Sequence, residues 1–106
     1  MYKRQLSKYI LVNLLSEITD EEIKADILHK LFRKKKWGGS HTAFENLYKW
    51  CEKRYAHRYK KVGEMLIKEG LLISKPTSYG LQVSLNPRKK SEIITIIRRW
   101  FEKDVF

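Results

Sequence analysis

A mainly α fold with one small β-hairpin is what this sequence predicts, and three observations predict it. Apolar residues recur at steps of three and four over most of the chain, as they do on amphipathic helices. Residues 71–85 instead read as strand, turn and strand, with apolar Leu71-Leu72-Ile73, a turn-rich centre and a period-two alternation over Leu81 to Leu85. Between the two patterns stands Gly70, placed to end a helix and release the chain into the first strand. With 106 residues and no linker or low-complexity tract, one domain spanning 1–106 is expected.

Taken in order, residues 3–18 set Leu6, Ile10 and Leu14 at helical spacing, with Tyr9 and Ile18 beside them and Lys3, Arg4 and Lys8 solvated. Thr19 and Glu22 then carry the T-x-x-E spacing of a capping box, so a second helix begins near Asp20. It buries Ile23, Ile27, Leu28, Leu31 and Phe32. Its charge runs from acidic at the start to Arg33, Lys34, Lys35 and Lys36 at the end, matching the helix dipole. Trp37-Gly38-Gly39-Ser40 stops it. Thr42 and Glu45 repeat the capping signature and open a third helix with Phe44, Leu47 and Cys51 on one face.

Where that third helix ends admits two readings. Residues 50–58 contain no Gly, Pro, Asn or Ser to break a helix, and Phe44, Leu47, Cys51, Tyr55, Tyr59, Val62 and Leu66 keep helical steps throughout. A break between 49 and 57 is nonetheless preferred, because an unbroken helix from 42 to 69 is long for so small a domain. After Gly70, Leu71-Leu72-Ile73 begins a strand, residues 75–80 form the loop, and Leu81 to Leu85 return as the second strand. Asn86-Pro87 ends it. A last helix from Arg88 or Ser91 carries Ile93, Ile96, Ile97, Trp100 and Phe101.

The charge excess narrows the partner class. Lys and Arg number 23 against 12 Asp and Glu, a net charge of +11, which favours polyanions. Its placement is sharper than its size. Residues 53–61, KRYAHRYKK, hold five Lys or Arg, one His, two Tyr and no acid. On a helix, Arg54, Arg58 and Lys61 project from one side as a positive stripe, and with Lys53, His57 and Lys60 they are the candidates to neutralise phosphates and read guanine edges in the major groove. Lys75, Ser78 and Tyr79 at the hairpin tip are set to hold phosphate oxygens beside it.

Other chemistry finds little support. One cysteine, Cys51, permits neither an internal disulfide nor a multi-Cys zinc site, and fits a cytoplasmic compartment. His29, His41 and His57 lack metal-pair spacing, and there is no Gly-rich phosphate loop. No apolar run approaches the roughly 20 residues that span a bilayer. No catalytic residue, metal, cofactor or membrane partner is therefore expected. The apolar stripes of the two terminal helices, 1–18 and 88–106, provide a dimer interface from Leu6, Ile10, Leu14, Ile93, Ile97, Trp100 and Phe101, unless they simply pack on the chain's own core.

The pattern resembles the winged helix-turn-helix superfamily, especially its single-domain MarR-like and archaeal or archaeal-virus regulators. Tyr59, Val62, Leu66 and Gly70-Leu71-Leu72 are similar to the end of that family's recognition helix and its first wing strand. Val83-Ser84-Leu85-Asn86-Pro87 resembles the second wing strand and its exit. The likeness covers about residues 42–87 and is one of fold. It implies a winged helix-turn-helix with added N- and C-terminal helices that dimerise. Two departures stand out: the turn before the recognition helix lacks its usual small residue, and Gly63 sits inside that helix. Glycine there costs about 1 kcal/mol relative to Ala, so close packing against a neighbouring helix is expected. The leading expectation is a homodimeric double-stranded DNA-binding protein, sequence-specific or general, that regulates transcription. The alternative is a protein-interaction or RNA-binding adaptor in replication, transcription or RNA machinery, its basic face meeting RNA or an acidic protein.

Overall fold

Reciprocal hydrogen bonds between Thr19 and Glu22 start the first helix that can be described. Thr19 Oγ1 accepts from the Glu22 N–H at 3.1 Å, and the Glu22 carboxylate accepts from the Thr19 N–H at 2.9 Å. Helix α1, Asp20–Arg33, begins where expected, and Ile23, Ile27, Leu28 and Leu31 are fully buried along it. It ends before the expected Lys36: Lys35, not a glycine, takes the left-handed position at φ 56°, and Lys36 N–H reaches back to Leu31 O at 2.9 Å. The computed structural model describes residues 18–101. All but Ile18 of the helix expected at 3–18, with Leu6, Ile10 and Leu14, lies outside the described residues.

The stretch after α1 departs from expectation. Residues 36–38 run alongside the later strand β3, Gly80–Leu85: Leu85 N–H donates to Lys36 O at 2.7 Å, and Gly38 N–H donates to Leu85 O at 3.0 Å. Thr42 and Ala43 are not the start of a helix. They form a short strand, β1 (Thr42–Ala43), antiparallel to β3 with Thr42 opposite Val83 and Ala43 opposite Gln82. The edge of β3 offers these residues backbone partners that a capping box would forgo. The Thr42 hydroxyl accepts instead from Asn46 Nδ2 at 2.9 Å, and helix α2, Asn46–Lys49, begins only there. The hairpin expected with two strands thus belongs to a three-stranded sheet of order β1-β3-β2.

The break between two helices is real, and no glycine makes it. After α2, Trp50 stays near helical geometry and Glu52 turns extended, at φ −63° and ψ 138°. A 3-10 turn at Lys53–Tyr55 then leads into helix α3, Ala56–Lys68. One extended residue with negative φ redirects the chain, and every L-amino acid tolerates that conformation. The absence of Gly, Pro, Asn or Ser from the turn is therefore no obstacle. Gly63 meets the expectation of close packing: a Cβ there would stand 3.0 Å from Leu47 Cδ1 of α2 and 3.0 Å from Phe44 Cε1.

Helix α3 ends in a Schellman closure. Leu71 N–H reaches back to Leu66 O at 3.0 Å and Gly70 N–H to Ile67 O at 3.1 Å, with Gly70 at φ 81° and Leu66 and Leu71 both buried. Asn86 locks this hinge from the far end of the hairpin, donating from Nδ2 to Gly70 O at 2.8 Å and from its N–H to Leu71 O at 3.0 Å. Strand β2, Leu72–Thr77, pairs with β3 from Leu72 opposite Leu85 to Thr77 opposite Gly80. The loop expected at 75–80 therefore shrinks to Ser78 and Tyr79. Both keep negative φ, and Gly80 at φ 113° supplies the reversal that they do not.

A 3-10 turn at Pro87–Lys89 leads into helix α4, Lys90–Phe101. Ile93 and Ile97 are fully buried in the one core shared by α1, α3 and the sheet. That corrects their expected place at a dimer interface, since side chains sealed in their own core have no surface to offer a second copy.

Two substitutions test this framework. Gly70→Ala has open space for its methyl, the nearest atom being Lys89 Cε at 3.9 Å, so its cost is backbone strain. A loss of about 1–2 kcal/mol is expected from denaturant unfolding. Gly63→Leu drives bulk into Phe44 and Leu47, and the same measurement should show about 1–3 kcal/mol of destabilisation from overpacking.

Candidate nucleic-acid interface

Helix α3 turns its apolar residues inward and leaves its charges outside. Tyr59, Val62, Gly63 and Leu66 are buried, whereas His57, Lys60, Lys61, Glu64, Met65 and Lys68 are exposed. Lys53 and Arg54 are exposed in the preceding 3-10 turn. None of Lys53, Lys60 and Lys61 lies within ion-pair distance of a carboxylate among the described residues. Their charge is available to solvent. Glu64 follows one turn after Lys60 and Lys61, so the acid-free stretch covers the N-terminal half of the helix rather than its whole length.

Two members of the expected stripe are otherwise engaged. Arg58 Nη1 donates to Ile18 O at 2.6 Å, and Nη2 meets Asp20 Oδ1 at 2.5 Å. It ties α3 to the start of α1 instead of standing on the exposed face. Arg54 pairs with Glu52 at 3.1 Å, its guanidinium 4.8 Å from the Tyr55 ring centroid. Because Arg54 stays exposed, that pair is worth little in water and yields easily to a phosphate.

Tyr59 anchors the helix from below. Its hydroxyl donates to Asp26 Oδ2 at 2.5 Å, and Asp26 also meets Lys30 Nζ at 3.3 Å. Lys30 Nζ in turn donates to Trp50 O at 3.2 Å, so one polar chain joins α1, the α2–α3 turn and α3. Burial, followed by the hydrogen bond to Asp26, pushes the Tyr59 phenol far above its ordinary range. Nothing in the sequence spacing of Asp26, Lys30 and Tyr59 announces this network. Cys51 is half-buried, burial raises its thiol pKa, and its Sγ lies 3.3 Å from Glu52 O and 3.5 Å from Tyr48 O, so it stays a protonated packing residue.

The hairpin projects Lys75, Ser78 and Tyr79, all exposed, with Tyr79 93% accessible at the tip. Thr77 shapes that tip: its hydroxyl donates to Gly80 O at 2.7 Å and accepts from Tyr79 N–H at 3.1 Å. At the other end of the domain, Trp100 is 44% exposed and Phe101 stacks on His29 with ring centroids 4.3 Å apart. Of the residues expected to dimerise, Trp100 alone keeps substantial surface among the described residues. Also among them, no three His, Cys, Asp or Glu side chains gather as metal ligands would, and no helix is long and apolar enough to cross a membrane. No protein-family profile, curated protein or solved structure matches this chain.

The Tyr59 environment predicts a pH response. An unfolded chain releases the phenol proton near pH ~10, whereas the folded chain holds it to higher pH, so this contribution is intact below ~10 and fades as pH rises beyond it. Stability measured by urea unfolding from pH 8 to 11 should show the gap between wild type and Tyr59→Phe narrowing above pH ~10. A constant gap over that range contradicts the assignment.

Proposed function

We infer that this chain binds double-stranded DNA through the N-terminal half of α3, with the β2–β3 hairpin resting on the flanking backbone. The observation that carries the reading is the exposed set His57, Lys60 and Lys61, with Lys53 in the turn before them, on a helix whose opposite face is buried and whose end is hydrogen-bonded to a hairpin. An α-helix fits the major groove, and a cationic face there gains affinity by releasing counterions from phosphates.

The element order α1, β1, α2, α3, β2, β3 and the sheet order β1-β3-β2 support reading the domain as a winged helix-turn-helix. In that reading α2 and α3 are the two helices of the motif and the β2–β3 hairpin is the wing. Tyr79, Ser78 and Lys75 then supply phosphate contacts that position the helix without reading sequence. Regulation of transcription is the role that best suits a small domain with such a reading helix. In a pairing of two copies, the exposed part of Trp100 is the C-terminal contact that the core leaves over.

The test is a duplex titration followed by fluorescence anisotropy at several salt concentrations. Lys60→Glu with Lys61→Glu should weaken binding and reduce the log–log salt slope by roughly one unit per lost phosphate contact. Arg58→Ala serves as the contrast. It should lower stability by about 1 kcal/mol through its ties to Ile18 and Asp20, with a smaller effect on affinity than the paired lysines. Background affinity for duplex in wild type, or an unchanged slope in the double variant, removes the reading. Selective retention of structured RNA in the same titration would favour the adaptor role.

A further inference from the structure

The turn between α2 and α3 brings the Trp50 indole to the C-terminal end of α1, and a cleft of about 440 Å³ opens there. Lys30, Arg33, Lys34 and Trp50 line it. Three of these are cations, and the fourth is an aromatic ring contributed by a different part of the chain. Lys34 Nζ stands 4.9 Å from the Trp50 ring centroid. Lys30 is occupied by Asp26 and by the Trp50 carbonyl, so it fixes the Trp50 backbone beside α1. Arg33 and Lys34 are exposed and meet no carboxylate among the described residues.

The simplest alternative is that cations here only complement the negative end of the α1 dipole. That accounts for Lys30 and Arg33 at the last turn. It does not account for an indole brought beside them from another element, with Lys34 Nζ over its ring and its own backbone carbonyl bonded to Lys30, nor for a cleft in the size range of roughly 300–1,000 Å³ that small ligands use. A simple anion needs no ring, and an apolar ligand gains nothing from two solvent-facing cations. Both features are matched by a planar base that carries a phosphate.

We propose that this cleft binds a nucleotide, its base stacked on Trp50 in place of the Lys34 ammonium and its phosphate held by Arg33 and Lys34. The same chemistry is offered by a free nucleotide and by an unpaired nucleotide within a strand. The proposal rests on a surface other than the exposed face of α3 and stands independently of the duplex reading.

Intrinsic tryptophan fluorescence and calorimetry of the full chain test it with two pairs of probes. One pair is AMP and ribose 5-phosphate; the other is a short oligothymidylate and an abasic strand of equal length. The base-bearing member of at least one pair should bind roughly tenfold more tightly than its base-free partner. Binding of AMP identifies the free nucleotide as the source, and binding of the oligothymidylate alone identifies the strand. Arg33→Glu with Lys34→Glu should weaken that binding by at least roughly tenfold, whereas Lys89→Glu with Lys90→Glu, a charge-matched change at exposed residues outside both surfaces, should leave it nearly intact. Trp50→Leu should abolish the preference for the base; where it also disturbs folding by circular dichroism, the two exposed-residue variants decide alone. Equal binding of base-bearing and base-free probes, equal loss in both charge variants, or no binding of either pair overturns the proposal.

Discussion

Asn86 holds together the feature on which the rest of this domain depends. Its amide and its backbone N–H take the carbonyls of Gly70 and Leu71, the two residues at which α3 becomes β2. One short segment thereby closes a helix end, starts a strand and finishes the hairpin. Its own Oδ1 accepts from Arg88 N–H at 3.0 Å and launches the 3-10 turn that leads to α4. The angle between α3 and the hairpin is consequently a property of hydrogen bonds rather than of loose loop geometry. Under the proposed DNA-binding role, helix and hairpin meet one polyanion together, and that rigidity reduces the freedom they lose on binding.

A second constraint sets how α3 meets its neighbours. Gly63 lets Phe44 and Leu47 approach the helix backbone, and the Tyr59–Asp26–Lys30 chain secures the turn before it from below. Packing on one side and polar ties on the other define which face of α3 is inside. The cations left outside are therefore carried on a helix that the core beneath them holds in place. Arg58 shows the cost of this arrangement for function: a residue in the middle of the basic run is turned toward Ile18 and Asp20 and secures the helix instead of extending its charged face.

Much of this architecture was legible in the residues, and the misses share one cause. The start of α1 and the hinge at Gly70 followed from signals that act within four or five residues, a capping box and a left-handed glycine, whereas the end of α1 falls earlier than its glycines suggested because Lys35 takes the left-handed turn. Thr42 and Glu45 carried the same capping spacing as Thr19 and Glu22 and yet yielded a strand, since the open edge of β3, about forty positions later, outcompeted a local cap. The helix break was hidden for a related reason. An extended residue such as Glu52 needs no special side chain, so composition does not mark it. Of the candidate interface, Lys53, His57, Lys60, Lys61, Lys75, Ser78 and Tyr79 lie on the surface, whereas Ile93 and Ile97 are absorbed by the core.

By itself the sequence determined the helix starts that are capped locally, the helix-to-hairpin transition at Gly70 and the positive charge of residues 53–61. These depend on neighbours in the chain, whose distances are set by covalent geometry. Tertiary structure alone decided that Thr42 and Ala43 join the sheet, that Arg58 ties to Ile18 and Asp20, and that Lys34 stands over Trp50 beside Arg33. Each of those outcomes pairs residues distant in sequence, and which distant pair wins is settled only when the whole core has chosen what to bury.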